Sequence, residues 1–154
     1  MAEATISFTN SSGGALSAGA RIATASWSSG INHASLVTAW RSRSDGCDLR
    51  FWHTTYGDLT WNVNSVNVSA MKLEWYLPAG INNGAVDTGY RLTFGNLGAQ
   101  TSPFTSLTGS TKTGTATATL PALSLPDGSI GESFSYVSDV DANDALSPRR
   151  GARN

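Results

Sequence analysis

From Met71 to Leu77, Leu73, Trp75 and Leu77 fall on one side of the chain while Lys72, Glu74 and Tyr76 fall on the other. A repeat of two is the spacing of an extended strand with one covered face. The same alternation recurs where Ala4, Ile6 and Phe8 oppose Thr5, Ser7 and Thr9, and where Leu49 and Phe51 oppose Arg50 and Trp52. Two further sets are Leu59, Trp61 and Val63, then Tyr90, Leu92 and Phe94. Turn-forming clusters separate these runs, among them the stretch from Asn10 to Gly14, Ser44-Asp45-Gly46, Tyr56-Gly57-Asp58 and Gly95-Asn96. Pro78 closes the run at Leu77, since proline cannot donate to a strand ladder. Arg21 to Trp27, Ser35 to Arg41 and Phe134 to Val140 are further strand candidates, and no segment holds a helical period. Many short strands with turns between them predict an all-β chain folded as a sandwich or barrel. Its core should hold Ile6, Phe8, Leu49, Phe51, Leu73, Trp75, Leu92 and Phe94.

Composition narrows the function. The 154 residues fit one domain, and only 14% are charged. With 21 Ser, 17 Thr, 10 Asn and 16 Gly, polarity is carried by hydroxyls and amides, which favour strands and turns over helices. The formal charge of -1 argues against nucleic acid as a partner. The single Cys47 excludes an internal disulfide. No apolar run approaches a membrane span, and the start has no charged and apolar leader, so the chain is expected to be made and kept in the cytoplasm unless carried out in a larger particle. From Thr111 to Leu120, five threonines alternate with Lys112, Gly114, Ala116, Ala118 and Leu120. This reads as one strand with a hydroxyl stripe, either a solvent-facing edge or a strand whose small-residue face meets another subunit. The end changes character: Asp139 to Asp144 is acidic, and Ser147 to Asn154 carries Arg149, Arg150 and Arg153. Residues 1–138 are therefore expected to form the domain, and residues 139–154 an extended C-terminal arm.

One stretch carries a resemblance. The run Ser44-Asp45-Gly46-Cys47-Asp48-Leu49-Arg50-Phe51 resembles the SDG-x-DLRF signature of a bacterial domain family of unknown function with a concanavalin-A-like sandwich. Ile6 to Leu16 is similar to that family's first strand. Tyr90 to Asn96 is similar to its strand ending in YGN, with Phe94 where the family prefers Tyr, and Leu73 to Pro78 lies where the family has another strand. The resemblance spans about residues 4–97. It implies a two-sheet antiparallel β-sandwich of the jelly-roll or concanavalin-like kind, no established catalytic residue, and a setting in surface proteins or phage structural proteins.

Residues able to do chemistry are sparse. A glycosidase on such a fold needs two carboxylates flanking the bond. Glu3, Glu74 and Glu132 are far apart in sequence, and Glu74 reads as a solvated strand residue. Cys47 and His53 lie six residues apart, about 20 Å along a strand, so a Cys–His nucleophile pair is not expected. One Cys and two scattered histidines, His33 and His53, cannot supply a zinc site. The run Asp139 to Asp144 resembles the opening of a calcium loop, but Asp144 stands where Gly is needed and Arg150 where Glu is needed. No catalytic residue, metal or cofactor is expected. Of the five tryptophans, Trp61 and Trp75 sit on apolar faces, and Trp52, flanked by Arg50 and Thr54, is the candidate for stacking on a glycan.

These readings converge on a non-enzymatic virion protein, one that decorates the capsid, binding the major capsid protein or another virion protein and neighbouring copies of itself. The arginines at 149, 150 and 153 are the candidate partner contacts. The alternative is a carbohydrate-binding module of a tail fibre or cell-surface protein. Neither reading involves nucleic acid or membrane.

Overall fold

The structure, a computed structural model, describes residues 2–120. Nine strands form two sheets: β1 (Ala2–Thr9), β2 (Arg21–Ile22), β3 (Arg50–His53), β4 (Gly57–Asp58), β5 (Trp61–Val63), β6 (Leu73–Tyr76), β7 (Val86–Phe94), β8 (Thr111–Lys112) and β9 (Thr115–Thr119). One sheet has the order β4-β3-β7-β1-β9, the other β5-β6-β2-β8. Every pairing between strands is antiparallel except β2 with β8. The described residues form an all-β sandwich. The expected boundary at residue 138, the arm 139–154, the strand candidate Phe134 to Val140 and the acidic run Asp139 to Asp144 lie outside the described residues.

The core is the one that the alternation predicts. Ile6, Phe8, Leu49, Phe51, Leu73, Trp75, Leu92 and Phe94 are all buried. Phe51 from the first sheet meets Trp75 and Trp61 of the second edge-on, at ring separations of 5.4 and 5.9 Å, and stacks on Tyr90 at 5.6 Å. Phe8 meets Trp75 edge-on at 5.5 Å. Such offset and edge-on pairs add to the gain from burial alone.

Three local expectations are corrected. Ser35 to Arg41 is not a strand. A short helix, α1, runs His33–Thr38, started by Asn32, whose side chain accepts from the Ser35 N–H at 3.1 Å. A single capping bond and one buried side, His33 and Leu36, suffice for a helix this short, which a periodicity argument cannot resolve. Arg21 to Trp27 is a strand only over Arg21–Ile22, then a 3-10 turn over Thr24–Ser26.

Thr111 to Leu120 is two strands in two sheets. The break comes at Gly114, where an added Cβ would meet the Phe8 ring and the Thr9 carbonyl. Its N–H donates to Ser26 Oγ at 2.9 Å. The glycine lets the chain cross from one sheet to the other against β1. Ala116 is fully buried and Ala118 half-buried, so the small-residue face covers this domain's own core and is not free for another subunit. The threonine face is exposed.

Candidate functional site

The loop carrying the SDG-x-DLRF run packs against the end of α1. Gly46 has a φ of +73°, a value glycine adopts without strain, and an added Cβ would crowd Val66 and Phe104. Asp45 caps this turn by accepting from the Cys47 N–H at 3.0 Å. It also takes a two-pronged contact from Arg43, Nε at 2.9 Å and Nη2 at 2.7 Å. Arg43 and then the Cys47 N–H hold the Asp45 carboxyl well below the usual carboxylate range. The third prong of Arg43, Nη1, donates to the Leu97 carbonyl at 2.8 Å.

Beneath that fork runs a buried polar chain. The Asn67 N–H donates to His33 Nδ1 at 2.8 Å, which leaves Nε2 of the neutral ring as the donor to Ser42 Oγ, also at 2.8 Å. Ser42 Oγ then donates to Asp48 Oδ1 at 2.9 Å. Asp48 accepts as well from the N–H groups of Arg43 and Gly95, each at 2.9 Å. His33, Ser42 and Asp48 are all buried. Although these are the residue types of a hydrolase triad, the order is wrong for one. Serine sits in the middle, its proton committed to Asp48 and its lone pair to an imidazole that donates to it rather than accepting from it. What the chain does is clip together three loops, at Asn67, at Ser42–Arg43 and at Gly95.

Burial, partly offset by Asp48, holds the His33 imidazole below its ordinary value of 6.5. The folded protein thus refuses a proton that the unfolded chain accepts, and stability present above about pH 6.5 is lost as the pH falls below it. The urea midpoint is expected to be lower at about pH 5.5 than at about pH 7.5, and His33→Asn should flatten that slope. Equal midpoints at the two pH values would contradict a neutral buried His33.

Above this clip the end of α1, the Arg43 loop and Leu97 enclose an open groove of about 490 Å³. One rim is Trp40, which is 81% exposed, and Leu97 is 40% exposed. Trp40 has a φ of +58°. The reason is local: its N–H donates to the Val37 carbonyl at 3.0 Å, and the Arg41 N–H donates to the Leu36 carbonyl at 2.8 Å. Those two bonds are the Schellman ending of a helix, in which the residue at this position is left-handed and is usually Gly or Asn.

The residues singled out from the sequence are dispersed. Trp52 is half-buried on the outer face of the first sheet, opposite Asp58 and Arg91 in register. Glu74 is paired with Arg21 at 2.9 Å. Glu3 is 3.8 Å from Arg91. Cys47 is buried, and burial pushes its thiol up, away from the reactive thiolate. His53 Nε2 faces both oxygens of Asp87 at 2.9 Å, not Cys47. Among the described residues, no group of three or more His, Cys, Asp or Glu could hold a metal ion, and no helix is long and apolar enough to cross a membrane. Arg149, Arg150 and Arg153 lie outside the described residues. Trp40 and the buried chain were not singled out from the sequence; the signals for them are Asn32 three residues before Ser35, a helix start, and Asp48 within the DLRF run. No family model, curated protein or solved structure matches the chain.

Proposed function

We propose that this chain is a non-catalytic virion structural protein, a capsid decoration protein that binds the capsid surface and neighbouring subunits. The observation that carries the reading is the outer face of the first sheet beside β9. Thr5, Thr115, Thr117 and Thr119 are exposed there, with Ser7 and Thr9 half-buried between them. Their hydroxyls already pair, Ser7 with Thr117 at 2.9 Å and Ser11 with Thr115 at 3.3 Å. A surface of hydroxyls and methyls has few charges to strip of water, which suits a contact repeated around a particle. Among the described residues β9 is the last strand of its sheet, and its outer edge meets the Trp27–Ser28 segment through the Ser28 N–H and the Ala116 carbonyl. Such an edge offers backbone groups to a neighbouring chain. The resemblance to a domain family of surface and phage structural proteins fits the same reading, and the commitment of Ser42, Glu74 and Cys47 to internal roles supports its non-catalytic part.

The test is attachment to undecorated particles, measured as occupancy in the pellet against protein concentration at two salt levels. Thr117→Lys with Thr119→Lys places charges on exposed edge positions and should change stability by less than about 0.5 kcal/mol. It is expected to weaken occupancy. Removing residues 145–154, with Arg149, Arg150 and Arg153, is expected to leave the domain folded but weaken attachment. Salt should affect the intact chain more than the shortened one, since exposed charge pairs are screened. Occupancy curves that coincide for all three proteins would overturn the proposal.

A further inference from the structure

The Trp40 groove is not used by the decoration reading, and it calls for a different explanation. A left-handed backbone costs a residue other than glycine about 1–2 kcal/mol, and at 81% exposure the Trp40 ring recovers almost nothing by burial. Glycine or asparagine would end α1 at least as well. A single exposed apolar residue needs no explanation, but this one stands on a strained backbone at the rim of a groove, next to a second exposed apolar side chain, Leu97. The frame of the groove is held in place: two backbone bonds fix the main chain at Trp40, and three prongs fix the Arg43 side chain. A ligand has little of that frame left to order.

The lining decides the kind of ligand. Trp40, Val37 and Leu97 give an apolar wall, whereas Thr38 and Ser44 give exposed hydroxyls. A guanidinium has five N–H donors, of which Arg43 uses three in the bonds just named, so two remain for a ligand. The Asp45 carboxylate, held ionised first by Arg43 and then by the Cys47 N–H, offsets the charge of that guanidinium. The groove therefore offers donors and acceptors without net positive charge, which disfavours an anion. Interleaved polar groups disfavour a lipid or a purely apolar peptide. A ring with one apolar face and an edge of hydroxyls matches both halves.

We propose that the groove between the end of α1, Arg43 and Leu97 is a binding site for an uncharged saccharide, which stacks a sugar ring on Trp40 and hydrogen-bonds to the Arg43 guanidinium that Asp45 holds in place. The proposal is independent of whether the chain decorates a capsid, and its test uses the free chain. The full-length protein is titrated with maltohexaose, cellohexaose and chitohexaose, with an oligogalacturonate as the anionic counterpart and a proline-rich peptide as the protein counterpart. Binding is followed by calorimetry and by saturation transfer from protein to sugar.

At least one neutral oligosaccharide is expected to bind, and Trp40→Gly and Trp40→Asn should each weaken it roughly tenfold or more, the loss typical of an aromatic anchor. Neither variant should lower the thermal midpoint, because both residues accept the left-handed backbone, so lost binding cannot be ascribed to unfolding. Trp52→Ala should leave binding unchanged. Asp45→Ala should weaken the neutral sugar and raise affinity for the galacturonate, since it uncovers the Arg43 charge. The proposal is overturned if no neutral oligosaccharide binds at millimolar concentration, if binding survives both Trp40 variants, if Trp52→Ala alone abolishes it, or if the galacturonate or the peptide is preferred by the native chain.

Discussion

Phe51→Ala is expected to lower the unfolding free energy by about 3–5 kcal/mol. Phe51 is 2% exposed, and its ring joins the sheets by touching Trp61, Trp75 and Tyr90. Truncation removes that contact and leaves a void bounded by rings on strands from both sheets, which cannot all move inward together. Leu73→Ala, at a site with no exposure, should cost about 2–5 kcal/mol. Urea unfolding of both variants is the measurement. Losses below about 1 kcal/mol at both sites would show that the sheets do not share this aromatic layer.

Asp48→Ala should do comparable damage for a different reason. Its two oxygens accept from Ser42 Oγ, the Arg43 N–H and the Gly95 N–H. Each buried donor left without an acceptor costs about 1–3 kcal/mol, so the loss should reach about 3 kcal/mol or more. Asp48→Asn keeps one acceptor oxygen and turns an amide N–H₂ toward donors, so it should recover only part of the loss. Because His33, Ser42 and Asp48 form one chain, Ser42→Ala should cost less in the Asp48→Ala background than alone. Strictly additive losses in that cycle would show that the chain is not a unit. This prediction also gives the Asp of the DLRF run a physical role: it ties the Ser42–Arg43 loop to the one at Gly95 and, through Ser42 and His33, to the one at Asn67.

What the sequence conveyed about the fold was carried by large residues at a spacing of two. Leu73 with Trp75, and Leu92 with Phe94, point inward because a sheet with one covered face allows no other register. The same rule fails where the chain leaves regular pairing. Val37 and Trp40 suggest β-structure by type, but Asn32 starts a helix too short to show a period and the backbone at Trp40 ends it. Thr111 to Leu120 keeps a perfect alternation across Gly114, so the pattern cannot reveal that the chain changes sheets there. The site is least legible for a related reason. The links from His33 to Ser42 and from Ser42 to Asp48 span nine and six residues of loop and short helix, where no periodicity relates one side chain to another. Trp40 is hidden because the default for tryptophan is burial, and nothing in its residue type indicates that it ends a short helix in a left-handed conformation with its ring exposed.

The position of β1 governs the order in which the molecule can be made. It is the first strand of the described chain, yet it lies between β7 and β9, with Ala2 facing Phe94 and Thr5 facing Thr119. During synthesis, Ala4, Ile6 and Phe8 emerge with no strand to cover either edge, and they remain so until β7 has left the ribosome and then until β9 has followed. Closing contacts across so long a stretch of chain is slow, and apolar strands that wait unpaired are where nascent chains stick to one another. The hydroxyls that alternate with those side chains, Thr5, Ser7 and Thr9, keep the waiting strand half polar. A β1 in which Thr5 and Ser7 were replaced by valine would keep the inward residues of the same sandwich, but from Ala4 to Phe8 it would wait for β7 and β9 as an uninterrupted apolar ribbon.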